Sequence, residues 1–295
     1  MSESLSIIHQ NNQLQRAETV VAMAVYSEDS AEWVNQAIVS ILEQTYRNFL
    51  FVIIIDGDVS DAINDVVMAC ARSDSRVVVA KNTTNIGLAA SMNRVIDWAL
   101  SVSPVFFVRM DADDISRPQR LERQIAYLNK HQNVAVIGSA LDEINERGVK
   151  VGARTMPASH KKIVRMLPRR CSLNHPTVTL RFAVFEEGFR YDATLRNTQD
   201  YFLWIELAAH GYVFRNLKEK LLAFRRVNDF YKRRGLSKSI NEFKARILAM
   251  KKLKRYTLWN LTYACGVLFL RLMPGKVVKL AYQLDRHLLE KFIKH

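Results

Sequence analysis

Cysteine, glycine and proline are scarce in this 295-residue chain, at three, ten and six residues, while 49% of it is hydrophobic. That balance excludes a collagen-like repeat, a disordered tail protein and a low-complexity linker, and it predicts a real core. Cys70, Cys171 and Cys265 are far apart and never in Cys-x-x-Cys spacing. Neither a disulfide framework nor a zinc ribbon is written here, which suits a reducing cytoplasm. Met1 to Arg16 is polar and lacks the basic-then-apolar pattern of a secretory leader, so no export is expected. The uncharged stretch Tyr256 to Leu270 contains Thr and Asn and falls short of the roughly 20 apolar residues that span a bilayer.

The net charge of +14 is unevenly spread. Residues 211–295 hold 21 Lys and Arg against 5 Asp and Glu, whereas residues 1–210 are slightly acidic, with 22 against 24. Clusters such as Lys232-Arg233-Arg234 and Lys251-Lys252-Leu253-Lys254-Arg255 lie in the basic third, the second just ahead of the stretch carrying Trp259, Tyr263, Leu268 and Phe269. A basic, aromatic-bearing helical region suits an anionic membrane surface, each Lys or Arg contributing about 1 kcal/mol near the headgroups. The alternative is a solvated basic face on ordinary helices. No helix-turn-helix, RNP-type strand or zinc spacing accompanies the charge, so no nucleic-acid partner is expected beyond a nucleotide.

Apolar runs and helical periodicities alternate through the first half. Val20 to Tyr26, Phe51 to Ile55, Arg76 to Ala80, Val105 to Met110 and Val134 to Ser139 read as strands. Between them, the spacing of Trp33, Ala37, Ile38, Ile41 and Leu42, the segments Ile63 to Ala71 and Leu88 to Leu100, and the run after Pro118 read as helices. Asp29 or Ser30 is placed to cap the first of these. Such alternation predicts an α/β fold with a mostly parallel sheet flanked by helices. After Ser139 the rhythm changes: Asn145 to Gly148 reads as a turn between antiparallel strands, Val178 to Phe182 as a strand, and Tyr201 to His210 as a helix opened by Asp200 and stopped at Gly211. The composition shift near residues 211–230 marks a boundary, dividing the chain into a catalytic unit over 1–225 and a basic, largely helical region over 226–295.

The most informative residues are Met110-Asp111-Ala112-Asp113-Asp114, three carboxylates directly after the apolar strand Val105 to Val108. In open α/β sheets, ligands bind outside the carboxyl ends of strands. Carboxylates this close repel unless a cation or donors offset them, and Mg²⁺ or Mn²⁺ is the natural partner, finishing its shell with waters and phosphates. On spacing alone the triplet also fits a solvated loop capping the next helix.

The order of motifs resembles the family 2 inverting glycosyltransferases of the GT-A fold, which include lipopolysaccharide, O-antigen and capsule transferases. The resemblance runs from Val20 to Arg226. It is carried by Val25-Tyr26, the segment Ala37 to Tyr46, Asp56-Gly57, Asn85-Ile86-Gly87-Leu88-Ala89-Ala90 with Asn93, Asp111 to Asp114, Arg117-Pro118-Gln119-Arg120-Leu121, Asn174-His175-Pro176-Thr177, and Gln199 to Trp204. It implies that Val25, Asp56, Asn85 and Asp111 bind the nucleotide-sugar, with Asp56 at the uracil and Asp111 at the ribose. It further implies Asp113 as metal ligand, Asp200 as catalytic base and His175 near the acceptor or metal. Two positions depart from the family pattern: a single acid, Asp56, follows Ile55, and Gln199 stands where a Glu is usual.

In an inverting transfer the acceptor hydroxyl displaces a nucleoside diphosphate in line at the anomeric carbon. A cation offsets charge on the departing phosphates and a carboxylate accepts the acceptor proton. At a helix start the macrodipole is expected to keep Asp200 ionised. Arg181, Arg225 and Arg226 have forks suited to phosphate or to ion pairs; Met110, Trp204 and the aromatic run Tyr201 to Trp204, with Phe202, are expected in the core around the site. The expectation is therefore a cytoplasmic enzyme on the inner face of the cell membrane. It would move one hexose from a UDP-sugar to a polyprenyl-diphosphate-linked saccharide in O-antigen-like polysaccharide assembly, using Mn²⁺ or Mg²⁺. The competing readings are a sugar nucleotidyltransferase, whose glycine-rich loop is missing after Val25, and a non-catalytic basic scaffold, disfavoured by the intact Asp111, Asp113 and Asp200. A processive synthase is disfavoured by the lack of a Gln-x-x-Arg-Trp signature.

Overall fold

A computed structural model describes residues 5–10, 17–226 and 236–272. The elements run β1 (Ile7–His9), β2 (Thr19–Val25), α1 (Ala31–Leu42), β3 (Phe49–Asp56), α2 (Asp61–Ser73), β4 (Val77–Asn82), α3 (Leu88–Val102) and β5 (Phe106–Asp111). They continue with β6 (Ile115–Ser116), α4 (Arg120–Lys130), β7 (Val134–Ile144), β8 (Lys150–Arg154), α5 (His160–Met166) and a 3₁₀ turn at His175–Thr177. β9 (Thr179–Arg181), α6 (Ala183–Glu186), α7 (Gln199–Ala209), β10 (Val213–Arg225), α8 (Leu236–Lys252) and α9 (Leu258–Leu272) complete the described chain.

Among the described residues the strands form one sheet in the order β1-β4-β3-β2-β5-β9-β7-β10-β6, with β8 on β7. β4, β3, β2 and β5 are parallel, and so are β7 and β10. β9 is antiparallel to both β5 and β7 and joins the two parallel blocks. The α/β expectation thus holds, and the changed rhythm after Ser139 corresponds to this switch. Several short elements escaped the sequence reading, β6, α5 and α6 among them, and so did two strands that matter for the sheet. β1 pairs with β4 from within the polar N-terminal segment, and the thirteen-residue β10 lies where the composition shifts.

Strand alternation sorts the core onto two faces. Val21, Met23 and Val25 of β2 join Phe51, Ile53 and Ile55 of β3 beneath α1, α2 and α4. Val20 and Ala22 join Val52 and Ile54 on the opposite face, with Met92, Val95 and Ile96 of α3, Trp204 of α7, and Ala245 and Ala249 of α8. Each fully buried large apolar side chain contributes about 1.5–3 kcal/mol. Met110, Tyr201 and Trp204 are buried as expected, whereas Phe202 is only half-buried against the core. The basic helix α8 is therefore partly core, not wholly surface. The cluster Lys232 to Arg234 and residues 273–295 lie outside the described residues.

Candidate active site

The parallel register brings three sequence-selected positions to one edge. Val25 pairs with Ile55, Asp56 with Asn82, and Ala24 with Asp111, so Val25, Asp56 and Asp111 close neighbouring strands at their carboxyl ends. This is where a parallel sheet accepts ligands.

At the β3 end, Asp56 is buried, and its carboxylate accepts the Ile86 and Gly87 N–H groups, each at 2.9 Å, and the Asn82 amide at 2.9 Å. It anchors the loop bearing exposed Asn85 onto the strand. Gly57 has φ +86°, and a Cβ there would lie 2.7 Å from the Asn85 nitrogen, so only glycine permits this approach. Asp56 thus holds this loop against the carboxyl end of β3.

At the β5 end, one ligand oxygen from each of Asp111, Asp113 and Asp114 falls within 4.8 Å of the others. That spread suits oxygen ligands around one divalent cation. Asp114 is fully buried; its Oδ1 accepts the Arg225 N–H at 2.9 Å, while its Oδ2 has no protein partner. Burial, reinforced by the Asp111 charge, raises the Asp113 pKa to about 6, and burial with both neighbours raises Asp114 well above the carboxylate range. A bound cation would offset this accumulated negative charge.

Sequence reading missed the arginine beneath the loop. Arg109 is 1% exposed inside β5, pairs with Asp111, and donates to the Met110 carbonyl. A charge within a buried apolar strand was its available signal. Fully buried Arg120 supports it by donating to the Arg109 carbonyl at 2.7 Å, burial lowering its own pKa to about 9. Asp29, considered as a helix cap, instead accepts the Tyr26 N–H at 2.9 Å. Ser30 occupies the N-cap position without a side-chain cap bond. Burial, with contributions from Asp113 and Asp111, raises the Asp29 pKa to about 7.

Asp200 lies in the first turn of α7, after Thr198, whose left-handed φ of 65° is unusual for a β-branched residue. Asn241 of α8 donates to the Asn197 side chain at 3.2 Å and braces this entry. The Cys171 thiol lies 3.8 Å from Asp200 Oδ2 and donates to it. Burial, more than the helix start, sets the Asp200 pKa: it is raised despite backbone hydrogen bonds that act to lower it.

His175 bonds the Tyr191 hydroxyl at 3.1 Å and packs against Trp204. Burial, then the Arg109 charge, holds its pKa well below the ordinary imidazole value. Asn93 clamps the Tyr191 backbone, accepting its N–H at 3.0 Å and donating to its carbonyl at 2.8 Å. Burial raises the Tyr191 pKa, with smaller contributions from the charges of Arg109, Asp200 and Asp111. The arginines considered for phosphate are engaged elsewhere. Arg181 donates to the Val134 and Leu128 carbonyls, Arg226 pairs with Glu143, and Arg225 is buried behind the acidic loop.

The profile for Glycosyl transferase family 2 matches residues 20–189, more than half of the chain. This chain belongs to glycosyl transferase family 2. Among similar family 2 proteins is the amylovoran biosynthesis glycosyltransferase AmsE of Erwinia amylovora, 28% identical over 267 residues that cover 90% of this chain and 98% of AmsE. The Escherichia coli UDP-Gal:alpha-D-GlcNAc-diphosphoundecaprenol beta-1,3-galactosyltransferase is 28% identical over 235 residues, 76% of this chain and 80% of that enzyme. The crystal structure of S. aureus TarS 1-349 in complex with UDP-GlcNAc superimposes with a TM-score of 0.63 at 15% identity, covering 86% of this chain and 72% of the other. The family 2 chain thus has the GT-A fold, with its acidic loop at the carboxyl end of the sheet.

Proposed function

We propose that this glycosyltransferase moves a single hexose from a UDP-sugar to a polyprenyl-diphosphate-linked saccharide, with inversion, in the assembly of an O-antigen-like surface polysaccharide. The observation that carries the reading is a three-carboxylate loop at the end of β5 together with a separate buried carboxylate, Asp200, the charges of Asp111 and Asp200 both acting on the Tyr191 phenol. The E. coli relative supports the donor and the lipid-linked acceptor.

Val25, Asp56 and the Asn85 loop frame the nucleobase, and Asp111 faces the ribose. Asp113, with help from its neighbours, would hold Mn²⁺ or Mg²⁺. Bound there, the cation supplies charge stabilisation for the departing diphosphate. Asp200 accepts the proton of the acceptor hydroxyl as the acceptor oxygen bonds to the anomeric carbon. The sugar–phosphate bond breaks on the opposite side and its electron pair leaves with the nucleoside diphosphate. Burial raises the Asp200 pKa, which makes the carboxylate a stronger base once ionised. His175, neutral beside Tyr191, lines the acceptor side.

The basic C-terminal region, 226–295, supports placement on the inner face of the cell membrane. No helix among the described residues is long and apolar enough to cross a membrane. On α9, however, Leu258, Trp259 and Phe269 are exposed by 79%, 66% and 60%, after the exposed Lys251, Lys252 and Lys254. An apolar face beside basic side chains suits an anionic lipid interface.

The test offers the full chain UDP-hexoses and Mn²⁺, with a polyprenyl-diphosphate saccharide carried in anionic vesicles. Acceptor-dependent UDP release and cosedimentation with the vesicles are expected. Pyrophosphate release from a nucleoside triphosphate would replace the reading with the nucleotidyltransferase alternative.

A further inference from the structure

Arg225 ends β10 and is only 3% exposed, yet its guanidinium is directed at neutral oxygens drawn from three other parts of the fold. Its Nε donates to the Asp113 backbone carbonyl at 2.9 Å. Its terminal nitrogens donate to the Gln36 side chain of α1 at 2.7 Å, and to the Glu146 and Asn145 carbonyls of the β7–β8 turn at 3.0 and 3.3 Å. Its own backbone N–H donates to Asp114 Oδ1 at 2.9 Å, and the guanidinium lies 5.0 Å over the Trp33 ring. One residue therefore grips the acidic loop at two points while α1 and the hairpin turn fix that residue from behind.

This arrangement answers a mechanical problem. Three carboxylates within 4.8 Å repel, and the loop carrying them has no regular structure between β5 and β6. Something must hold its backbone in place before a cation arrives. A planar five-donor fork can satisfy several fixed acceptors at once; a lysine ammonium on a flexible stem cannot match that geometry. Arg109 secures the first acid of the loop, and Arg225 secures the second and third from the opposite side.

We infer that Arg225 is the positioning residue of the metal loop: by holding the Asp113 carbonyl and the Asp114 carboxylate together, it sets the direction in which Asp113 presents its own carboxylate to a divalent cation. The inference rests on the reading of Asp113 as metal ligand. The Arg225 guanidinium is taken up by protein oxygens, so its effect is expected first in metal affinity.

The test is Mn²⁺ titration of the full chain with UDP present, followed by electron paramagnetic resonance, with thermal melting measured in parallel. For Arg225→Lys, Mn²⁺ binding is expected to weaken about 10- to 100-fold, the usual effect of losing a group that orients a metal ligand, with a cooperative melt retained. Gln36→Met, which removes one acceptor behind the guanidinium, should weaken binding about threefold, a smaller indirect change of the same kind. Arg225→Lys that folds and binds Mn²⁺ like the wild type overturns the inference. If that variant does not fold, wild-type affinity in Gln36→Met overturns it instead. A wild-type chain that binds no Mn²⁺ overturns the metal reading itself, and the role of Arg225 with it.

Discussion

The two carboxylate centres of the molecule are supported differently. The acidic loop after β5 is heavily braced: Arg109 and Arg120 lie beneath it, Arg225 lies behind it, and its acids crowd one another. Asp200, at the start of α7, stands apart, with backbone N–H groups and the Cys171 thiol as partners. Both Asp113 and Asp200 have raised pKa values with burial as the leading cause, but a like charge adds to the shift only at Asp113 among the named leading causes. The contrast separates two uses of one functional group. A crowd of acids is relieved by a cation, whereas an isolated buried acid is relieved by a proton.

The sharpest way to break the contrast is Asp200→Asn. If Asp200 handles only the proton, transfer should fall by about 10²- to 10⁴-fold, the usual worth of a positioned base. UDP and Mn²⁺ binding, measured by calorimetry, should stay at wild-type values. Transfer at the wild-type rate would remove Asp200 from the chemistry.

A second comparison uses pH. Mn²⁺ must bind in place of the proton on Asp113, whose pKa is about 6. The Asp113 contribution to affinity should therefore be level above that pH and fall below it, by about tenfold per pH unit for the proton displaced, while the more strongly raised Asp114 adds a further dependence at higher pH. Asp113→Asn should bind Mn²⁺ weakly and lose this contribution to the slope. Titrations at several pH values decide the matter.

The smallest expected effect is at Cys171. Its thiol donates to Asp200 and favours the ionised carboxylate, so Cys171→Ala should raise the Asp200 pKa further. A base must be deprotonated to act, so activity is lost as pH falls through that pKa. The acid limb of kcat/KM should accordingly move to higher pH by less than about one unit, with the plateau rate little changed. An unmoved limb would show that the thiol has no part in tuning the base.

Much of the fold was legible because its signals are local. Apolar runs of β-branched residues and helical spacing over ten or so residues locate β2, β3, β5, α1 and α3 directly. The acidic triplet was legible because charges after a buried strand have few structural reasons to be there. What stayed hidden depends on partners far away along the chain. The Arg225 grip on Asp113 spans 112 positions, and the Asn93 clamp on Tyr191 spans 98. β10 escaped notice because Arg215, Lys218 and Lys220 interrupt its pattern and read as part of a basic tail. The direction of the Asp200 pKa shift was hidden for a related reason: its helix position is visible in sequence, whereas the burial that outweighs it is created by segments meeting in space.

The three-residue β9 works as a splice. It follows directly on the turn holding His175 and is stitched on one side to the strand bearing the acids and on the other to the block that ends at Arg225. A slip of a single residue there would turn each of its side chains to the opposite face and carry the His175 turn out of alignment with the acidic loop. Insertions or deletions within 175–181 should therefore be tolerated poorly.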